Sequence, residues 1–339
     1  MKALVTAEYA PDGIAALESA GYEISRCGWG VTGEVLDGED LLKAARGAHL
    51  IVCELETIDA PVFDVAPQLK VVASCRGNPV NVDVDEATRR GVLVLNTPGR
   101  NAASVADFTI GAMLALARGL SAGERHLRDV SWDVDGRLPY LAFKGPELAG
   151  QTLGLVGYGA IGRLVAQRAR DGFGMTIAAH DPFAPPDSDV AWLDIDELAE
   201  QSTFLSLHAP VTEDTIGMVG CAQLTALGPA GYLINTARAD LVDEPALLQA
   251  LKDRTIAGAA LDVFWQEPLA RDHPLLTLDN ALLTPHLAGA ADDVQRHHTE
   301  MISEDLARIA AGDRPVRLVN PKAWPTHSTT QTDQRRGTP

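Results

Sequence analysis

Along the second half of this chain, charged and imidazole side chains stand where apolar runs stop. The run 203–207 ends in His208-Ala209-Pro210, 232–235 in Thr236-Ala237-Arg238, 258–261 in Asp262, and 281–284 in Pro285-His286. Glu267 lies five residues beyond Asp262. In doubly wound sheets ligands bind outside the carboxyl ends of the strands, so these loops are expected to share one cleft. An Arg, a Glu and two His there suit hydride transfer between a nicotinamide and a 2-hydroxy or 2-keto acid. A cation holds the carboxylate and polarises the carbonyl. An imidazole passes the proton, and a carboxylate orients that imidazole and favours its charged form. Taken singly, an Arg at a strand end is more often half of a surface ion pair, and a His after a Pro caps backbone groups. Joint placement after successive strands is what singles out Arg238, Glu267 and His286. His297 and His298, inside a helical stretch, read as solvated.

The elements that must position these loops begin upstream, at 152–181. An apolar run, 152–156, breaks at Gly157-Tyr158-Gly159-Ala160-Ile161-Gly162, a helical pattern follows, and a second apolar run (175–179) ends at His180-Asp181. Strand, tight turn, helix, strand and acid form the dinucleotide fingerprint. Gly157 permits the turn, Gly159 lets backbone approach a pyrophosphate, and Gly162 lets the helix lie close to the strand. The helix start offers free N–H groups and a positive dipole end to phosphate. Asp181, 19 residues beyond Gly162, is placed to accept from an adenosine ribose, and no Arg or Lys follows before residue 190. The expected cofactor is NAD rather than NADP.

At 339 residues the chain has room for two cores, and its formal net charge of −18 argues against nucleic acid or an anionic membrane as partner. Small anions must then be captured by local cations. Cys27, Cys53, Cys75 and Cys221 show no metal-ligand spacing, so no metal is expected and the thiols read as small hydrophobes in a reduced, cytoplasmic protein. No apolar run approaches membrane-spanning length.

Apolar runs at 2–6, 22–25, 50–53, 70–75 and 92–96 alternate with helical stretches at 11–20, 38–48, 61–66 and 84–90, which implies a mostly parallel sheet. Thr97-Pro98-Gly99 reads as a boundary turn. Residues 102–120 read as one long helix of small apolar residues, buried by domain packing or by a partner subunit, and 128–147 as irregular. Pro182, Pro185 and Pro186 mark a proline-rich stretch, and further helices are expected at 195–201, 245–252 and 290–311.

The motifs occur in a family order. Asn96-Thr97-Pro98 with Asn101 and Val105-Ala106-Asp107 is followed by the glycine fingerprint and by His208-Ala209-Pro210 with Thr215. Asn235-Thr236-Ala237-Arg238, Ala260-Leu261-Asp262-Val263-Phe264 with Glu267-Pro268, and Thr284-Pro285-His286 with Ala288-Gly289-Ala290 complete the set. Over residues 1–321 the chain resembles the D-isomer-specific 2-hydroxyacid dehydrogenase family, in its phosphoglycerate-dehydrogenase-like branch. The resemblance implies an α/β fold of two doubly wound parallel-sheet domains. One is a discontinuous flavodoxin-like substrate domain (1–98 and 288–321), the other a Rossmann NAD-binding domain (99–287), with 322–339 a polar tail expected to be disordered. It implies Arg238 as carboxylate clamp, His286 as acid/base and Glu267 as its partner. It places substrate at Arg76, Gly77 and Asn78 as well as Arg238, and cofactor at the glycine turn, Asp181, His208, Pro210, Thr215, Thr236, Ala237, Arg238, Asp262 and His286. A homodimer through 102–147 is also implied.

Three departures bear on the substrate. The substrate loop reads Cys75-Arg76-Gly77-Asn78-Pro79, Asp107 stands where Glu is usual, and Ala239-Asp240 replaces a usual Gly-Gly. Arg76 needs a partner: a nearby acid such as Asp83 or Asp240, or a second anionic group on a phosphonate, phosphorylated or sulfonated substrate. A different class, an NAD-gated binding module of the same fold, is countered by the complete catalytic set.

Overall fold

The structure, a computed structural model, describes residues 1–129, 132–185 and 187–324. Pro186 and the tail beyond residue 324 lie outside the described residues. The chain divides into two compact units, Met1–Arg100 with Ala291–Pro339, and Asn101–Ala290.

The first unit is built on five strands: β1 (Lys2–Val5), β2 (Glu23–Arg26), β3 (Leu50–Cys53), β4 (Val71–Ser74) and β5 (Leu93–Leu95). They pair in the order β2-β1-β3-β4-β5, all parallel, the flavodoxin-like arrangement. The central strands β3 and β4 are buried throughout, which is why they read as unbroken apolar runs rather than alternating ones. The helix Asp292–Ala311 returns to this unit and packs Ile302 and Ile309 into its core. His298, expected in solvent, is 2% exposed there, stacked on Tyr9 and bonded through Nε2 to the Glu8 carbonyl at 2.6 Å. Helical position alone could not show that Tyr9 and Glu8 cover this face of the helix. Pro321–Ala323 form a 3-10 turn with Ala323 buried, so the folded chain runs past the expected start of the tail at 322.

The second unit has seven parallel strands: β6 (Thr152–Val156), β7 (Thr176–His180), β8 (Ala191–Trp192), β9 (Phe204–Leu207), β10 (Tyr232–Asn235), β11 (Gly258–Leu261) and β12 (Ala281–Leu283). Their order is β12-β11-β10-β9-β6-β7-β8. The chain leaves β6 toward β7 on one side and toward β9 on the other, so the crevice for a ligand opens at the carboxyl end of β6. The expected helix 102–120 stops at Ala117. Gly119 takes a left-handed φ of +58°, and a second helix, Leu120–Asp129, leaves at 58° to the first. Ala106, Ile110 and Met113 bury the first helix in the core of this unit. Among the described residues no single helix is long and apolar enough to cross a membrane.

Candidate active site

The glycine turn after β6 is built for a close approach. Gly157 has φ +94°, and a side chain there would stand 2.7 Å from the backbone of His208 and Ala209. A Cβ at Gly162 would strike the Gly157 carbonyl, whereas one at Gly159 would project into open space. Among the described residues no side chain caps the helix Ala160–Phe173, and no acid lies in its first turn, so its leading N–H groups are left for a ligand. Asp181, at the end of β7, accepts from the Tyr158 N–H at 2.8 Å and from the N–H groups of Phe183 and Ala184 at 2.9 and 3.1 Å. The carboxylate is thereby fixed beside the turn with lone pairs to spare. These residues fit a dinucleotide: open space over Gly159 for phosphate, and an anchored acid for a ribose. Tyr158 turns its ring away from the turn. Its hydroxyl donates to Asp187 at 2.8 Å, and burial, with that bond, pushes it up to about 12.

His208, at the end of β9, bonds the Ser206 hydroxyl through Nε2 at 2.9 Å, while its buried Nδ1 has no partner among the described residues. Burial pushes this imidazole down to about 3, so it is neutral. Thr215 closes the following loop by donating to the Pro210 carbonyl at 2.8 Å. Thr236 is nearly buried and meets the Thr109 hydroxyl at 3.0 Å. After β10, Asn235 accepts from the Ala237 N–H at 3.1 Å and donates to the Arg238 carbonyl at 2.8 Å. That clasp turns Arg238 outward, exposed and without an ion pair among the described residues. Ala239 and Asp240 open a short 3-10 turn beside it.

His286 and Glu267 meet at 2.9 Å, Nδ1 to Oε2. The other Glu267 oxygen accepts from the Phe264 N–H at 3.1 Å. Burial opposes the charged form of Glu267. The bonds from His286 and Phe264, with the charges of His286 and Arg238, outweigh it and hold the carboxyl below its usual range. With Nδ1 on the carboxylate, Nε2 of His286 is left for another partner.

Sequence reasoning assigned Asp262 to the cofactor and missed its other work. It is 1% exposed and accepts from the Thr284 hydroxyl at 2.6 Å and from the N–H groups of Leu287 and Ala288, both at 2.7 Å. Those donors flank His286 on both sides, and His286 itself has φ +56°. A left-handed non-glycine residue is strained, and the three bonds to a buried acid hold it so. Asp107, the Glu of the usual motif, pairs with Arg168 at 2.7 Å. A cavity of about 530 Å³ lies at the amino ends of β10 to β12 and contains none of the candidate residues.

In the first unit the loop after β4 presents Arg76, Gly77 and Asn78 at the carboxyl end of its sheet.

Fold and site together define a dinucleotide-dependent oxidoreductase. Residues 110–288 match the NAD binding domain of the D-isomer specific 2-hydroxyacid dehydrogenases, and the chain belongs to that family. It is 42% identical over 269 residues, 78% of this chain and 80% of its relative, to glyoxylate reductase of Korarchaeum cryptofilum. The TT0316 protein of Thermus thermophilus superposes with a TM-score of 0.81 at 35% identity, covering 94% of this chain and all of that one. The NADPH-dependent glyoxylate/hydroxypyruvate reductase of Sinorhizobium meliloti superposes with a TM-score of 0.77 at 31% identity, covering 94% and 98%.

Proposed function

We propose that this chain interconverts a small (R)-2-hydroxy acid and its 2-keto acid, with His286 as acid/base, Glu267 orienting it and Arg238 gripping the substrate carboxylate. The observation that carries the reading is the 2.9 Å His286–Glu267 pair on the carboxyl-end loops that also turn out Arg238. Bound NAD supplies the hydride acceptor, and its reduced form the donor, for C2 of the substrate. Arg238 offers two parallel N–H donors to a planar carboxylate. His286 takes the hydroxyl proton in oxidation and returns it in reduction, and Glu267 stabilises the imidazolium. Gly77 and Asn78 are assigned to the substrate as well, and the turn 157–162, Asp181, His208, Pro210, Thr215, Thr236 and Ala237 to the cofactor. Trp132, Leu138, Tyr140 and Leu141, each at least 60% exposed, support a homodimer through 102–147, and the cytoplasm is the compartment proposed for it. The decisive experiment is NADH oxidation with a panel of 2-keto acids beside NADH binding. Binding without turnover of any of them would leave a binding module instead.

Glu267→Gln tests the pair through pH. A neutral amide no longer favours the imidazolium, so the acidic limb of the oxidation profile moves to lower pH, and the alkaline limb of the reduction profile moves the same way. Limbs that stay in place would separate Glu267 from the proton transfer.

Asp181→Ala tests the cofactor. The unmodified enzyme is expected to prefer NADH, since the acid repels a 2′-phosphate, and the ratio of NADH to NADPH kcat/KM should fall in the variant. An unmodified enzyme that uses both equally contradicts this.

A further inference from the structure

We infer that Trp265 and His273 are positioning residues of the reaction: from either side of Glu267 they fasten its loop to the segment behind Arg238, and so hold the carboxylate at His286. This rests on the proposed roles of Glu267 and His286 and adds the residues through which that pair keeps its geometry.

The loop between β11 and β12 needs such holds. No backbone N–H from residue 263 to 272 donates to a backbone carbonyl among the described residues, and Gln266, Glu267 and Pro268 are exposed. Chain without its own ladder opens easily unless side chains tie it down. Trp265, two residues before Glu267, lies half-buried against the core of this unit, and its Nε1–H donates to the Val242 carbonyl at 3.1 Å. His273, six residues after Glu267, closes the other end. Its Nδ1 accepts from the Leu275 N–H at 3.3 Å, which leaves the ring proton on Nε2, and that nitrogen meets Glu244 Oε1 at 2.8 Å.

The segment they grip is itself fixed. Leu241 and Val242 are buried. The Gly217 and Val219 N–H groups donate to the carbonyls of Asp240 and Leu241 at 2.8 and 3.0 Å, and the Asp243 N–H returns to the Val219 carbonyl at 3.0 Å. Asp243 also caps the helix Glu244–Lys252, accepting from the Ala246 N–H at 2.8 Å. This segment directly follows Arg238, so two side-chain bonds set the Glu267 loop in register with the Arg238 turn. Glu267 depends on that register. Its hold on His286 is one 2.9 Å bond between side chains that are 40% and 50% exposed. A displacement of about 1 Å is enough to break such a bond.

The test follows NADH-dependent reduction of the best 2-keto acid across pH in Trp265→Phe, His273→Phe and the double variant. Each is also placed in a Glu267→Gln background. NADH binding is the folding control, and Trp265→Phe keeps an aromatic ring where a smaller residue would open the core. The double variant should lose roughly 5- to 50-fold in kcat. Its alkaline limb should move to lower pH, the direction of Glu267→Gln, because a wandering carboxylate favours the imidazolium less. In the Glu267→Gln background the same substitutions should change kcat by less than about twofold, since they act through a carboxylate already removed. His273→Gln, whose amide can still donate to Glu244, should stay within about threefold of the unmodified enzyme. Equal losses in both backgrounds, with limbs in place, would make Trp265 and His273 general props and overturn the inference while leaving the dehydrogenase intact. Limbs unmoved by Glu267→Gln itself would instead overturn the role of Glu267 on which the inference rests. An unmodified protein that binds NADH but reduces no keto acid overturns the dehydrogenase reading.

Discussion

His286→Ala is expected to lower turnover by roughly 100- to 10,000-fold, the usual worth of a positioned acid/base, while NADH still binds. The separation follows from the way the loop is held. Asp262 grips the Thr284 hydroxyl and the N–H groups of Leu287 and Ala288, none of which belongs to the imidazole. The backbone at 286 therefore keeps its left-handed turn when the ring is removed. Measuring kcat beside NADH affinity decides the matter. Near-normal kcat would remove His286 from the proton path, and a parallel collapse of NADH affinity would show that the ring props the loop.

Arg238→Lys should lose roughly ten- to a hundredfold in kcat/KM for every keto acid tested, since a point charge cannot copy a planar two-pronged grip. Asn235 bonds only backbone groups of this turn, so the clasp that turns residue 238 outward survives the exchange. The loss should be the same for substrates with one or two anionic groups. Unchanged kcat/KM would make Arg238 a surface charge.

What could be read in advance followed from physical singularity. Gly157 and Gly162 occupy positions where any Cβ meets backbone, so the turn declares itself in residue type. Strands such as β3 and β4 are buried on both faces and show as plain apolar runs. The placement of Arg238 and His286 beyond strand ends was legible because charge at the end of such a run is unusual. The role of Asp262 was not, because two of its three partners are backbone N–H groups 25 and 26 residues away that any sequence would carry. The break at Gly119 was hidden for a similar reason: a glycine within a helical pattern does not announce its φ. The two-residue strand β8 and the helix Cys221–Leu227 were too short or too polar to show a period.

The return of the chain to its first unit sets an order on its synthesis. The opening residues need partners that arrive last: Thr299 accepts from the Ala10 N–H at 3.0 Å, and Asn320 accepts from Val94 at 2.9 Å and donates to the Val92 carbonyl at 2.8 Å. Everything from Asn101 to Ala290, a complete unit, is translated in between. At 5–20 residues per second the unfinished N-terminal sheet waits roughly ten to forty seconds on the ribosome. A message cut at codon 290 would release a finished dinucleotide-binding unit still tethered to an N-terminal sheet that lacks its closing helix.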